Sequence, residues 1–319
     1  MDLFPADNHN NNSKGVSYTG GFFMLIGLAI LGLVIGSVIG ALILFGATDG
    51  GLGDMDEVLK DPKNANAIRG VQVISVLFGM LVPTLVVAKI LNRKPFQLLG
   101  LGKKINGKQI GLVVLIVFAS LFIAGALGYL NKELPFFQNY KADFEELERS
   151  YAEQVEIMID LKSFGGYLFS LFIMAFLPAL CEEILFRGGL QNFLARATKK
   201  PWVAVIVVSL LFSLIHFSFY GFFPRLFLGI MLGAIFLYTG NLWLCIVAHF
   251  LNNALAVTAM YVYTLQGKDI KEAMNDEMPF YWGLVALPFL IFLFIGLKRN
   301  SKPEPEIRTY NPPDIINGI

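Results

Sequence analysis

Apolar residues in this chain come in long unbroken runs separated by shorter polar stretches. About 20 consecutive apolar residues, coiled as a helix, cross the hydrocarbon core of a bilayer. Runs of roughly this kind occupy residues 22–45, 71–91, 110–130, 164–188, 202–219, 222–238, 242–264 and 281–297. In lipid every backbone polar group has to be satisfied within its own segment, so such runs read as helices. The pattern predicts an all-α, polytopic membrane helix bundle with about eight transmembrane helices. Gly32, Gly36 and Gly40 recur every four residues in the first run and predict a close-packing ridge within the molecule rather than a dimer face. Pro83 and Pro178 fall inside the second and fourth runs and predict kinks, the latter freeing the Met174 carbonyl.

The polar stretches between runs add detail. Residues 131–162 are acidic, yet Phe144, Leu147, Tyr151, Val155 and Met158 follow helical spacing within them. This predicts an amphipathic helix that lies at the interface or caps the bundle. Residues 190–200 are polar and basic and read as a loop, or over 191–200 as a surface helix. Arg225, near the start of the sixth run, reads as a snorkelling interfacial charge. The chain therefore divides into a polar N-terminal tail (1–21), a membrane region of three spans plus the acidic segment (22–163), a core (164–264), a loop with the last span (265–300) and a C-terminal tail expected to be disordered (301–319).

Composition agrees with this reading and narrows it. Hydrophobic residues make up 55% of the chain and charged residues only 15%, against about 25% charged in soluble domains. A net charge of +1 gives no footprint for nucleic acid; the expected partners are membrane lipids and a protein or peptide substrate. The N-terminal stretch lacks a basic segment and a small-residue cleavage site, so an uncleaved anchor is expected. Lys and Arg gather on the side of the two termini, which predicts cytoplasmic termini in a bacterial-type plasma membrane. Cys181 and Cys245 sit in apolar runs and read as inert core residues.

The candidate chemistry lies where ionisable residues interrupt the runs. An ionisable side chain at the centre of a membrane helix costs roughly 2.5–3.5 kcal/mol on insertion scales. Glu182, Glu183 and Arg187 nevertheless close the fourth run, and two of the three histidines, His216 and His249, lie in the fifth and seventh. Glu183 and Arg187 are four apart and meet on one helix face; Glu182 points about 100° away and stays free for another task. His249 and Asn253 share a face in the same way, as do Phe212 and His216. A carboxylate and a histidine in a restricted cavity suit general-base activation of water, with imidazole and carboxamide N–H groups as oxyanion donors. That points to amide hydrolysis in or near the membrane. Glu182, His216 and His249 would also make a zinc set with one open position, although His-Glu-x-x-His is absent. Measured along the runs, His249 is shallow and His216 deep, about 10 Å apart at 1.5 Å per residue.

Glu182-Glu183-x-x-x-Arg187, Phe212-x-x-x-His216 and His249-x-x-x-Asn253, each on its own apolar run, resemble the three-motif signature of the CPBP family. That family comprises type II CAAX prenyl endopeptidases and bacterial proteins related to bacteriocin self-immunity and lysostaphin resistance. The resemblance implies that Glu182 activates water with help from His216, that His249 and Asn253 stabilise the oxyanion, and that Glu183 and Arg187 position them. It leaves glutamic and metallo-type hydrolysis both open, so a divalent metal such as zinc is a candidate cofactor. A catalytically inactive immunity or scaffold protein, or a proton-coupled transporter, are the alternatives; no internal repeat of the kind carriers show is visible.

Overall fold

The computed structural model describes residues 12–48, 55–133, 141–270 and 279–301. Most of both tails, including the expected disorder beyond 301, lies outside these residues. Among them the regular elements are all helices, with no strand beyond one isolated bridge between Ser13 and Asn92. Seven helices are long and apolar enough to cross a membrane: α1 (Tyr18–Ala47), α2 (Pro62–Leu91), α3 (Gly107–Glu133), α5 (Phe164–Thr198), α7 (Phe222–Thr239), α8 (Leu242–Leu265) and α9 (Tyr281–Asn300). An eighth apolar helix, α6 (Pro201–Leu214), is shorter. The acidic segment forms α4 (Lys141–Met158), which includes the apolar stripe the spacing predicts.

Helix α5 is the axis of the molecule. Its apolar window is 56% buried, against 22% for α1. On one side of it a core forms from α3, α7, α8 and α9, with Val117, Ile235, Leu244 and Leu293. On the other a second core joins α1, α2 and α6 around Leu25, Val87, Phe193 and Phe212. The α1 glycine ridge faces α2: a Cβ on Gly32 would come within 1.8 Å of the Phe78 carbonyl oxygen, and one on Gly40 within 2.9 Å of Val71. This ridge packs inside the molecule, as its spacing predicts.

Both prolines are preceded by a π-helical turn, Leu77–Leu81 before Pro83 and Leu171–Phe176 before Pro178. Val82 N–H bonds to the Leu77 carbonyl and Leu177 N–H to the Phe172 carbonyl, five residues back in each case. In an α register a proline ring presses on the carbonyl four residues before it. Widening the ladder just ahead of the ring relieves that contact.

Two expected boundaries are corrected. The fourth span does not end at 188 in a loop; α5 continues to Thr198. Its polar residues stay helical because they find backbone partners. Gln191 donates to the Gly233 carbonyl at 2.9 Å and Asn192 to the Leu98 carbonyl at 2.6 Å. The fifth span does not reach 219; α6 ends at Leu214, so His216 lies on the turn beyond it.

Candidate active site

Three helices and one turn bring the motif residues together. Glu182 and Glu183 lie where α5 passes into a second π-helical stretch, Ile184–Gln191. Glu183 is fully buried and Arg187 is 1% exposed. Arg187 Nη1 donates to Glu183 Oε1 at 2.6 Å, and Nη2 donates to the Gly229 carbonyl of α7 at 3.2 Å. The guanidinium carbon also sits 4.7 Å from the centre of the Phe212 ring. This buried ion pair is therefore neutralised, hydrogen-bonded to a neighbouring helix and stacked, which is how buried charges are tolerated.

The same carboxylate oxygen takes a second bond. His249 Nδ1 lies 2.8 Å from Glu183 Oε1. A carboxylate oxygen accepts, so this ring nitrogen carries the proton and Nε2 is left with the lone pair in the neutral ring. His249 Nε2 in turn points at Glu182, 3.9 Å from Oε2. One imidazole thus bridges the two adjacent acids.

His216 is held by a different device. At the end of α6 its backbone N–H bonds to the Ser213 carbonyl, not to that of Phe212. The Phe212 carbonyl is taken up by the His216 ring, through Nδ1 at 2.6 Å. The side chain caps its own helix, satisfying a carbonyl that every helix C-terminus leaves open. A carbonyl only accepts, so Nδ1 is the protonated nitrogen here too. Nε2 lies 3.9 Å from Glu182 Oε2. Phe212 is 1% exposed and is wedged among Phe186, Arg187, His216 and His249.

Glu182 Oε2 therefore lies 3.9 Å from each of two ring nitrogens that carry lone pairs, Nε2 of His216 and Nε2 of His249. Glu182 Oε2 is buried and has no hydrogen-bond partner in the protein. Asn253 lies one turn beyond His249 on α8, half-buried, with its Oδ1 accepting from Asn252 at 3.2 Å. The expected difference in depth between the histidines is corrected. Gly188 packs against Leu242 and the Leu99 carbonyl, so α8 starts level with the middle of α5's lower half. His249 is seven residues up from Leu242, and Glu182 six up from Gly188. Pro201 follows the far end of α5, and His216 is fifteen residues up from it, against sixteen from Thr198 to Glu182. The helices start at different depths and the three side chains meet at one.

Zinc takes two imidazoles and a carboxylate as donors at about 2.0–2.2 Å, which in a tetrahedron puts the donors roughly 3.3–3.5 Å apart. The donor types match, but the 3.9 Å separations are wider, and among the described residues no group of three His, Cys, Asp or Glu is spaced to hold a metal ion. As placed, the three do not fit the metal.

The sequence reading passed over Gln191, which follows Glu183 and Arg187 at the same spacing of four and ties α5 to Gly233. The Arg225 guanidinium lies over the Tyr151 ring of α4 at 5.5 Å, with Nη1 buried. Beside the His216 turn an apolar groove of about 550 Å³ opens between Phe144, Leu147, Phe217, Phe219 and Phe223.

Residues 164–255 match a family model described as type II CAAX prenyl endopeptidase Rce1-like. The matched stretch contains all seven motif positions, from Glu182 to Asn253. No curated protein and no solved structure matches the chain. The matched segment, set among apolar membrane-length helices, resembles an intramembrane protease of the CAAX type in a multi-pass membrane protein.

Proposed function

We propose that this chain is an intramembrane endopeptidase that hydrolyses a peptide bond at or near the membrane, using a water activated by Glu182 and His216. The observation that carries the reading is the convergence of Glu182 Oε2 with the two Nε2 atoms at 3.9 Å. A water that donates to Glu182 Oε2 and to the Nε2 of His216 spans their 3.9 Å separation at normal hydrogen-bond length.

In the proposed reaction the water oxygen bonds to the substrate carbonyl carbon as its proton passes to Glu182 Oε2. The carbonyl electron pair moves onto its oxygen. His249, when protonated, donates Nε2–H to that oxyanion, and the Asn253 carboxamide supplies a second donor. Glu183 orients the ring through Nδ1–H, and Arg187 keeps Glu183 in place. Collapse of the intermediate breaks the C–N bond, and the proton on Glu182 passes to the leaving amine with His216 sharing it. The products are a carboxylic acid, which gives up its proton to water on release, and an amine. No step passes through a metal, so cleavage should survive chelation of divalent cations.

The substrate is a protein or peptide that reaches the membrane. The test compares newly formed protein N-termini in membranes containing the unaltered chain or Glu182→Gln at equal levels. Termini found only with the unaltered chain support hydrolysis and identify a substrate. Identical profiles from two folded forms would sink the reading and return weight to an immunity scaffold or a carrier.

A further inference from the structure

We infer that Glu148 on α4 is a positioning residue for His216; this rests on the hydrolytic reading above. One oxygen of Glu148 holds the turn that carries His216 at two points. Ser218 Oγ donates to Glu148 Oε1 at 2.7 Å, and the Tyr220 backbone N–H donates to the same oxygen at 3.2 Å. Ser218 is buried and its oxygen also accepts from the Gly221 N–H at 3.1 Å. The acid therefore braces the turn at its centre.

The turn needs bracing. Phe217, next to His216, has φ +47°, the left-handed region that bulky side chains avoid. Such a conformation persists only where surrounding contacts over-determine it. Helix α4 supplies three of them from one face. The Phe144 ring stacks on Phe219 with centroids 3.6 Å apart, Glu148 takes Ser218 and Tyr220, and Tyr151 lies under Arg225 at the start of α7. A fourth comes from α3, where Asn131 donates to the Phe219 carbonyl at 2.5 Å.

The other end of α4 is fixed. Val155 is buried in a small core with Ile159, Leu161 and Val257. Arg69 of α2 donates to the Met158 carbonyl at 2.9 Å and to the Ile159 carbonyl at 3.2 Å, closing the helix C-terminus. A helix anchored at one end and bonded to the turn along the rest transmits its position to His216. His216 Nε2 then faces Glu182 because its ring is bonded to Phe212 from below and its turn is held from above. Glu148 touches no reacting atom in this scheme.

The test is built on chemistry at Oε1. A carboxamide oxygen accepts the same two bonds; an alanine accepts neither. Full-length Glu148→Ala, Glu148→Gln and Ser218→Ala proteins in membranes are treated with diethyl pyrocarbonate, and carbethoxylation of His216 and His249 is followed by mass spectrometry. His249, buried in the bundle, is the internal reference. Glu148→Ala and Ser218→Ala should each raise the His216 rate about threefold or more through local opening of the turn, with His249 unchanged. Glu148→Gln should match the unaltered chain. An unchanged His216 rate in both Glu148→Ala and Ser218→Ala overturns the inference, as does a parallel rise at His249, which would mean general loosening. Cleavage should fall about tenfold or more in Glu148→Ala and recover in Glu148→Gln, since small misplacements of a catalytic group are costly. Equal cleavage by Glu148→Ala and the unaltered chain would overturn the positioning role. If the unaltered chain cuts nothing, the hydrolytic reading fails while His216 labelling still decides whether Glu148 holds the turn.

Discussion

Glu183 is the residue on which the geometry of the site turns. Its Oε1 accepts from Arg187 and from His249 Nδ1 at once, so losing either partner disturbs the other. Arg187→Ala would leave a buried carboxylate without its countercharge, a change that costs about 3–5 kcal/mol when a buried pair is broken. We expect a clear drop in melting temperature in detergent, with cleavage lost alongside. Arg187→Lys restores a charge but not the planar fork that bonds Glu183, reaches the Gly229 carbonyl and stacks on Phe212, so it should recover only part of the stability. A melting temperature for Arg187→Ala equal to that of the unaltered chain would remove the ion pair from the stabilising contacts. Much at this scale is legible in the sequence. Adjacent acids on a helix point in different directions, and spacings of four put Glu183 with Arg187 and Phe212 with His216. What spacing cannot show is that His249 joins Glu183, because that contact spans 66 residues. Nor does hydropathy reveal that Gln191 is buried: its polarity marks it as surface until its partner, the Gly233 carbonyl, is placed beside it.

Among the elements, α5 depends on how closely α6 and α7 approach it, and two glycines of α7 set that distance. A Cβ on Gly229 would lie 2.9 Å from Ser209 Cβ, and one on Gly233 would lie 2.8 Å from Gln191 Oε1 and 2.9 Å from Val205 Cγ1. Gly233→Val should therefore push α7 from both neighbours, lengthen the Gln191 bond and destabilise the fold by roughly 1–3 kcal/mol, the usual cost of overpacking. Gly27 meets nothing within 4 Å, so Gly27→Val serves as the control. Thermal melts of the two variants check this; equal melting temperatures would mean that the α5–α7 contact yields without cost. Element types were readable from the apolar runs, and their ends less so. The run through residues 202–219 continues past the end of α6 because Ile215, Phe217 and Phe219 are as apolar as the helix. The chain turns there through a side-chain cap and a left-handed phenylalanine, neither of which hydropathy registers.

For the molecule as a whole, the short α6 sets the depth of the site. Fourteen residues rise about 21 Å, less than the roughly 30 Å hydrocarbon core. We expect the His216 turn to end inside the slab, with α4 over it on the face opposite the N-terminus. This arrangement would put Glu182, His216 and His249 below the surface yet next to a face that solvent reaches. It requires α6 to count as a crossing, making eight in all and putting the turn on the same side as α4. Single cysteines at Lys14, Leu147 and Phe217, treated with a membrane-impermeant maleimide in sealed vesicles, test that arrangement. Cys181 and Cys245 are fully buried and should stay silent. The Leu147 and Phe217 positions should label from one side and Lys14 from the other. The Phe217 position should react more slowly than that at Leu147, despite its 84% exposure in the protein alone, because lipid surrounds the sunken turn. Labelling of Lys14 and Phe217 from the same side would mean that α6 does not cross, and the site would then have to open toward the N-terminal face. A Phe217 rate equal to that at Leu147 would place the turn at the surface, where a carboxylate and two imidazoles would face bulk water rather than a restricted cavity.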